Sequence, residues 1–181
     1  MKLCIDPGHG MANREFGKYD PGAVAAGVAE AGIALEVGLT LKHVAVREGI
    51  EVFLTRTNDV DPTPVATRAR LAQNRGCTHF LSLHCNAGPI LASGTETFYR
   101  DSRDEDFAEL VQDAALFAWG LRDRGVKHES ESQHKRLAIF NFAGPAALLE
   151  MGFITNPANR KWLLDRDARI RFAVRLLGVL K

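Results

Sequence analysis

Cys4-Ile5-Asp6-Pro7-Gly8-His9-Gly10 is the stretch on which the reading of this chain turns. The apolar run from Leu3 to Ile5 predicts a short buried strand, with the strand starting at Lys2. Asp6-Pro7-Gly8 breaks it, because proline cannot continue a ladder and glycine allows a tight bend. His9 then falls just beyond the carboxyl end of the strand, where open α/β sheets hold their ligands. A single histidine on a turn is ordinary, so this one gains meaning only from partners elsewhere in the chain.

The chain has 181 residues, a length that suits one domain with a sizeable core. The net charge is +1, which argues against a polyanionic partner such as nucleic acid. Cys4, Cys77 and Cys85 are an odd set without framework spacing, and reduced core cysteines are expected. No run of eighteen apolar residues exists, so no transmembrane helix is predicted. With the first strand at Lys2, no signal peptide is expected either.

Working outward, residues 11–29 read as a long surface loop with a turn at Asp20-Pro21-Gly22. Ile33, Val37, Leu41 and Val44 recur at helical spacing and predict a helix from Glu30 to Glu48, ended by Gly49. Strands are expected at Ile50–Thr55, His79–Leu83, Thr95–Tyr99, Leu137–Phe140 and Ala146–Glu150. Helices are expected at Val65–Arg75, Asp104–Leu121 and Arg166–Leu180, and a further one starting at Asn156-Pro157. Residues 122–136 lack periodicity and read as a polar loop. The alternation predicts an α/β domain whose sheet is mostly parallel and covered by helices on both faces.

Parallel strands share one carboxyl edge, so His9, His84 and Glu150 would converge there although far apart in sequence. Glu30 opens a helix after a glycine-rich loop. Two histidines and a carboxylate form a common catalytic zinc set with a fourth position left for water. Glu150, delivered from the apolar run Ala146–Leu149, would be partly desolvated and suited to act as a general base. Spacing alone leaves other readings open. Glu30 could only complement the helix dipole, His84 could be a hydrogen-bonded histidine beside Asn86, and Glu150 an ion-pair partner.

The sequence resembles the zinc-dependent N-acetylmuramoyl-L-alanine amidases of the amidase-3 family over nearly its whole length. Ile5-Asp-Pro-Gly-His-Gly10, Asp20-Pro-Gly-Ala23, Glu30 with Leu35, and Val52–Arg56 with Asp59 match the family's motifs in order. So do Arg68–Ala72, Leu81-Ser-Leu-His-Cys-Asn-Ala87, Arg124-Gly-Val-Lys127 and Leu149-Glu-Met-Gly-Phe-Ile-Thr-Asn156. Cys85 and Gln73 depart from the usual alanine and asparagine, and neither removes a ligand or the base.

The resemblance implies one zinc ion per chain at His9, Glu30 and His84, with Glu150 as base and then proton donor. It implies hydrolysis of the amide between N-acetylmuramic acid and the L-alanine of the stem peptide, on a single domain over 1–181 with a six-stranded sheet. A zinc peptidase cutting inside the stem peptide and an inactive wall-binding module are the alternatives. Peptidoglycan is the expected partner and a monomer the expected state. The chain is expected to be an endolysin released at lysis or the domain of a secreted autolysin.

Asn86 is a further candidate to position substrate or cap a turn. Arg56 and Arg68 are candidates to hold the acidic stem peptide, or surface ion pairs. Asp6 is a candidate to orient His9. His128 and His134 are expected as solvated histidines near the cleft.

Overall fold

The computed structural model describes residues 1–180. Ten strands and five α-helices follow one another among the described residues. The strands are β1 (Lys2–Pro7), β2 (Gly10–Met11), β3 (Tyr19–Asp20), β4 (Val24–Ala25), β5 (Val28–Ala29), β6 (Glu51–Leu54), β7 (His79–Asn86), β8 (Thr95–Tyr99), β9 (Asp123–His128) and β10 (Ala146–Phe153). The helices are α1 (Glu30–Arg47), α2 (Arg68–Asn74), α3 (Ser102–Trp119), α4 (Pro157–Leu164) and α5 (Arg166–Val179).

Six strands form one sheet in the order β6-β1-β7-β10-β8-β9. All pairs are parallel except β10 with β8. This is the mostly parallel six-stranded α/β sheet that the sequence predicts. Its two faces are unequal. Leu3 and Ile5, Leu81, Leu83 and Cys85, and Ala147, Leu149 and Met151 alternate onto one face and join α1, α3 and α5 in the larger core. Cys4, Phe80, Ala146 and Leu148 point the other way, to a smaller core closed by Ala69 and Ala72 of α2 and by Ile139, Phe140 and Phe142.

That alternation decides where the polar side chains go. Residues two apart on a strand share a face. His84 therefore lies on the face of Phe80, and Glu150 on the face of Ala146 and Leu148, both on the side of the thinner layer. Cys85 faces the larger core and is 5% exposed, so its thiol points away from His84 and packs among apolar side chains.

Several boundaries differ from expectation. The region 11–29 is a loop that contains two small hairpins, β2 with β3 and β4 with β5. The stretch Leu137–Phe140 is no strand: Ala138–Asn141 forms a 3-10 helix whose apolar residues plug the second core. A short apolar run cannot by itself distinguish the two. Asp123–His128, expected as loop, is the edge strand β9. It is half-exposed, so it carries no hydrophobic alternation to reveal it. β7 and β10 run past the points expected, so His84 and Glu150 sit inside their strands. On α5 the buried side is Phe172, Ala173, Leu176 and Leu177, whereas Val174 is exposed.

Candidate active site

The parallel register of β7 and β10 sets His84 directly opposite Glu150. Directly opposite residues on neighbouring strands share a face, so both side chains open into the same cavity of about 690 Å³. The sheet brings His9 to the same place by a different device. β1 ends at Pro7, and His9 turns out of line with φ 62. A positive φ is uncommon away from glycine, and here it aims the imidazole across the sheet edge. Two glycines make room. A Cβ on Gly8 would lie 2.4 Å from Cε1 of His84, and a Cβ on Gly22 would lie 2.6 Å from Oε2 of Glu30.

Glu30 is the first residue of α1 and is 4% exposed. Its Oε1 stands 3.0 Å from Nε2 of His9 and 2.9 Å from Nδ1 of His84. The same oxygen accepts the Cys85 N–H at 2.9 Å, and Oε2 accepts the Ala23 N–H at 2.9 Å. Burial raises the Glu30 carboxyl, but the hydrogen bonds from His84 and His9 win and hold it well below the usual carboxylate range. Among the described residues, His9, Glu30 and His84 are the one group of metal-ligand side chains whose donor atoms gather within 4.8 Å. Tetrahedral zinc with bonds of about 2.0–2.1 Å sets its ligand atoms about 3.3 Å apart. The observed contacts of 2.9 and 3.0 Å are a few tenths short of that, so the donor set fits such an ion.

Asp20 is the residue that sequence reasoning missed. Its Oδ2 faces Nδ1 of His9 at 3.0 Å and accepts from Asn13 Nδ2 at 2.6 Å, while Oδ1 accepts the Gly22 N–H at 2.9 Å. A carboxylate on the far nitrogen keeps the proton at Nδ1 and leaves Nε2 free to ligate. Asp6, the expected partner of His9, is occupied elsewhere. It accepts from Thr55 at 2.6 Å, Ser82 at 2.8 Å and Arg68 at 2.9 Å. The signals available were the Asp-Pro-Gly turn at 20–22, close before Glu30, and the match of Asp20–Ala23 to a family motif.

Arg56 and Arg68 are a correction. Both are 1% exposed and hold the protein's own groups; Arg68 lines the cavity, and Arg56 pairs with the exposed Asp59. Arg56 gives its N–H groups to the carbonyls of Pro7, Gly8, Ala31 and Asn58 and to Asp59. Arg68 gives its own to Asp6, Asn13 and the carbonyls of Pro7, His9 and Thr63. A guanidinium has five N–H donors, and each arginine has spent all of them inside the protein. Together they pin the carbonyls of the turn that carries His9.

Glu150 lines the cavity with the three gathered side chains, and its Oε2 is buried without a hydrogen-bond partner. Burial, and then the charges of Glu30 and Glu96, push its carboxyl well above the usual range. A buried carboxyl oxygen left bare costs stability, about 1–3 kcal/mol for an ordinary buried polar group. Its retention beside a ligand cluster is what a proton-transfer group requires. Asn86 also lines the cavity, and its Nδ2 donates to Glu96 at 2.7 Å. His134 lies on the cavity wall, whereas His128 is exposed and bonded to Ser130.

An open mostly parallel sheet with a two-histidine, one-carboxylate cluster and a bare acid beside it defines a candidate metallohydrolase. The family profile described as N-acetylmuramoyl-L-alanine amidase, amidase-3, matches residues 3–179, and the chain belongs to this family. It is 32% identical over 168 residues to the N-acetylmuramoyl-L-alanine amidase CwlM of Bacillus licheniformis, covering 86% of this chain and 58% of that one. It is 31% identical over 159 residues to the sporulation-specific amidase of Bacillus subtilis, covering 85% and 56%. The chain thus spans somewhat more than half the length of these relatives. The catalytic domain of CwlV from Bacillus (Paenibacillus) polymyxa superposes with TM-score 0.84 at 29% identity, over 99% of this chain and 95% of that one.

Proposed function

We propose that this domain, spanning 1–181, hydrolyses the amide bond joining the lactyl group of N-acetylmuramic acid to the L-alanine of the stem peptide. The reading rests on family membership together with one observation: Glu150, with a bare buried oxygen, stands in register with His84 on the wall of the His9–Glu30–His84 cluster. Zinc is the proposed cofactor, one ion per chain held by His9, Glu30 and His84. When bound, it supplies Lewis-acid polarisation of the scissile carbonyl and lowers the pKa of its water to about 7.

The chain's own residues supply the rest. Asp20 fixes the ring and tautomer of His9, and Arg56 and Arg68 hold its turn. Glu150 accepts a proton from the attacking water, then returns it to the alanine nitrogen as the C–N bond breaks. Asn86, oriented by Glu96, is proposed to contact substrate through its carbonyl. All of these side chains come from one chain, which supports action as a monomer. The named relatives support the bacterial cell wall as the place of action.

Mass spectrometry of digested peptidoglycan tests this. The amidase reading predicts free muramic lactyl groups and peptides beginning with L-alanine, lost with EDTA and regained with zinc. Peptides cut at an internal bond would overturn it in favour of a stem-peptide peptidase. Intact muropeptides would overturn it in favour of a binding module.

A further inference from the structure

Stem peptides carry carboxylates, and the site that would cleave them carries Glu30 and Glu150. An anionic peptide needs cations to enter, and Arg56 and Arg68 have no donor left to offer. Besides Arg68, two other arginines face the cavity. Arg14 and Arg136 both line it. The nearest carboxylate to Arg14 is Asp20 at 4.0 Å, an aspartate that already accepts from Asn13 and Gly22 and faces His9. The Arg136 side chain is exposed and makes neither an ion pair nor a hydrogen bond among the described residues.

The backbone that carries Arg136 is fixed from beneath. Glu129 is 6% exposed, and its Oε2 accepts the N–H of Leu137 at 2.6 Å. Arg100 is paired with Glu129, and its Nη2 donates to the carbonyl of Leu137 at 2.9 Å. Its Nη1 reaches Asn141 at 3.2 Å, and its guanidinium lies over the Phe140 ring. Both main-chain groups next to Arg136 are thereby clamped by a largely buried ion pair. Such a pair is a costly way to gain stability, and its best use is to fix geometry. Here it holds an unpaired cation on the wall of the cavity that Arg14 also lines.

On the amidase reading, we infer that Arg136, assisted by Arg14, forms a subsite for a carboxylate of the leaving stem peptide and so sets the preference for acidic over amidated peptides. Two carboxylates could fill it: the one left free by a γ-linked glutamate at the second position, or the side-chain carboxylate of a diaminopimelate at the third. A guanidinium suits either, because its planar fork pairs with a carboxylate in two parallel bonds.

The test is steady-state kinetics on muramyl tripeptides that differ at one group. One pair has carboxylate or carboxamide on the second residue. The other has diaminopimelate or lysine at the third. Wild type should favour the carboxylate form in one pair about tenfold, through KM rather than kcat, the size expected of one charge-assisted contact. Arg136→Ala should bring that ratio close to one. Arg136→Lys should recover part of it, and Arg136→Glu should invert it. A ratio that Arg136→Ala leaves intact in both pairs, or no preference in the wild type, overturns the subsite. If the wild type cleaves no tripeptide, the amidase reading fails instead. Calorimetric binding of the same peptides to the Glu150→Gln protein then still decides the subsite: weaker binding of the carboxylate form by Arg136→Ala supports it, and equal binding overturns it.

Discussion

Replacing Asp20 by asparagine keeps the size of the side chain and removes a capability that His9 depends on. Asp20 offers acceptors in two directions at once, to His9 and Asn13 through Oδ2 and to the Gly22 N–H through Oδ1. A carboxamide has only one acceptor oxygen. With that oxygen toward His9, its NH2 group meets the Gly22 N–H, donor against donor. With the amide reversed, its NH2 faces Nδ1 of His9. The imidazole must then carry its proton on Nε2, the atom that lies 3.0 Å from Glu30 in the cluster. A protonated nitrogen cannot bind a metal, so each arrangement loses something. Loss of such a supporting carboxylate costs about 10–100-fold in metal affinity, or about 1.4–2.7 kcal/mol. Competition against a chromophoric chelator at neutral pH measures the zinc dissociation constant directly. Urea unfolding in EDTA checks that the metal-free fold is unharmed. If Asp20→Asn binds zinc as tightly as wild type, Asp20 does not set the tautomer of His9.

Glu150→Gln should lower the hydrolysis rate by about 10²–10⁴-fold while one zinc per chain is retained, read by turnover and metal analysis on the same sample. Unchanged turnover would remove Glu150 from the chemistry. Gly22→Ala should abolish tight zinc binding, because its Cβ would intrude on Glu30 and His9 and the residue holds φ 66. The left-handed backbone adds about 1–2 kcal/mol of strain, which urea unfolding of the metal-free protein should detect. Arg68→Ala should cost about 3–5 kcal/mol at neutral pH, since it leaves Asp6 buried and unpaired. Burial raises Asp6, but the charge of Arg68 and the bonds from Thr55 and Ser82 outweigh it, so the folded pKa lies below the unfolded one. The stability that Asp6 contributes is therefore complete above the unfolded value of about 3.9 and is lost as pH falls through the folded value. Metal-free wild type should accordingly lose stability below about pH 4, and the deficit of Arg68→Ala should shrink on acidification. A deficit independent of pH would show that Asp6 is not the group stranded by the mutation.

The legible part of this fold was carried by burial. Runs such as Leu81-Ser-Leu and Ala146–Leu149 are apolar because both faces of their strands are covered, and they located the central strands. β9 escaped because an edge strand that is half in water needs no apolar alternation. The 3-10 helix at Ala138–Asn141 was misjudged because packing of Ile139, Phe140 and Phe142, rather than local spacing, selects its conformation. The candidate site divides the same way. His9, His84 and Glu150 could be placed on one sheet edge from topology, while Glu30, at the start of a helix, joined them through the family resemblance. Which groups serve them could not, because hydrogen bonds across long loops leave no period in a sequence.

The two acid–arginine errors have one cause. A sequence presents Asp6, Asp20, Arg56 and Arg68 as charges, and charges default to the surface. Here the sheet edge must hold a sharply turned loop whose carbonyls, at Pro7, Gly8 and His9, point inward and have no strand partner. Buried carbonyls require donors, and arginine brings five on one rigid group. Two arginines satisfy that turn, and Asp6 offsets the charge of one of them. Asp6 is thereby withdrawn from His9, and the histidine takes its carboxylate from the opposite side, from the loop that leads into Glu30. On the proposed subsite, recognition of an acidic peptide falls to arginines outside this scaffold, Arg136 and the Arg14 that lies 4.0 Å from Asp20, while the buried ones bear on geometry.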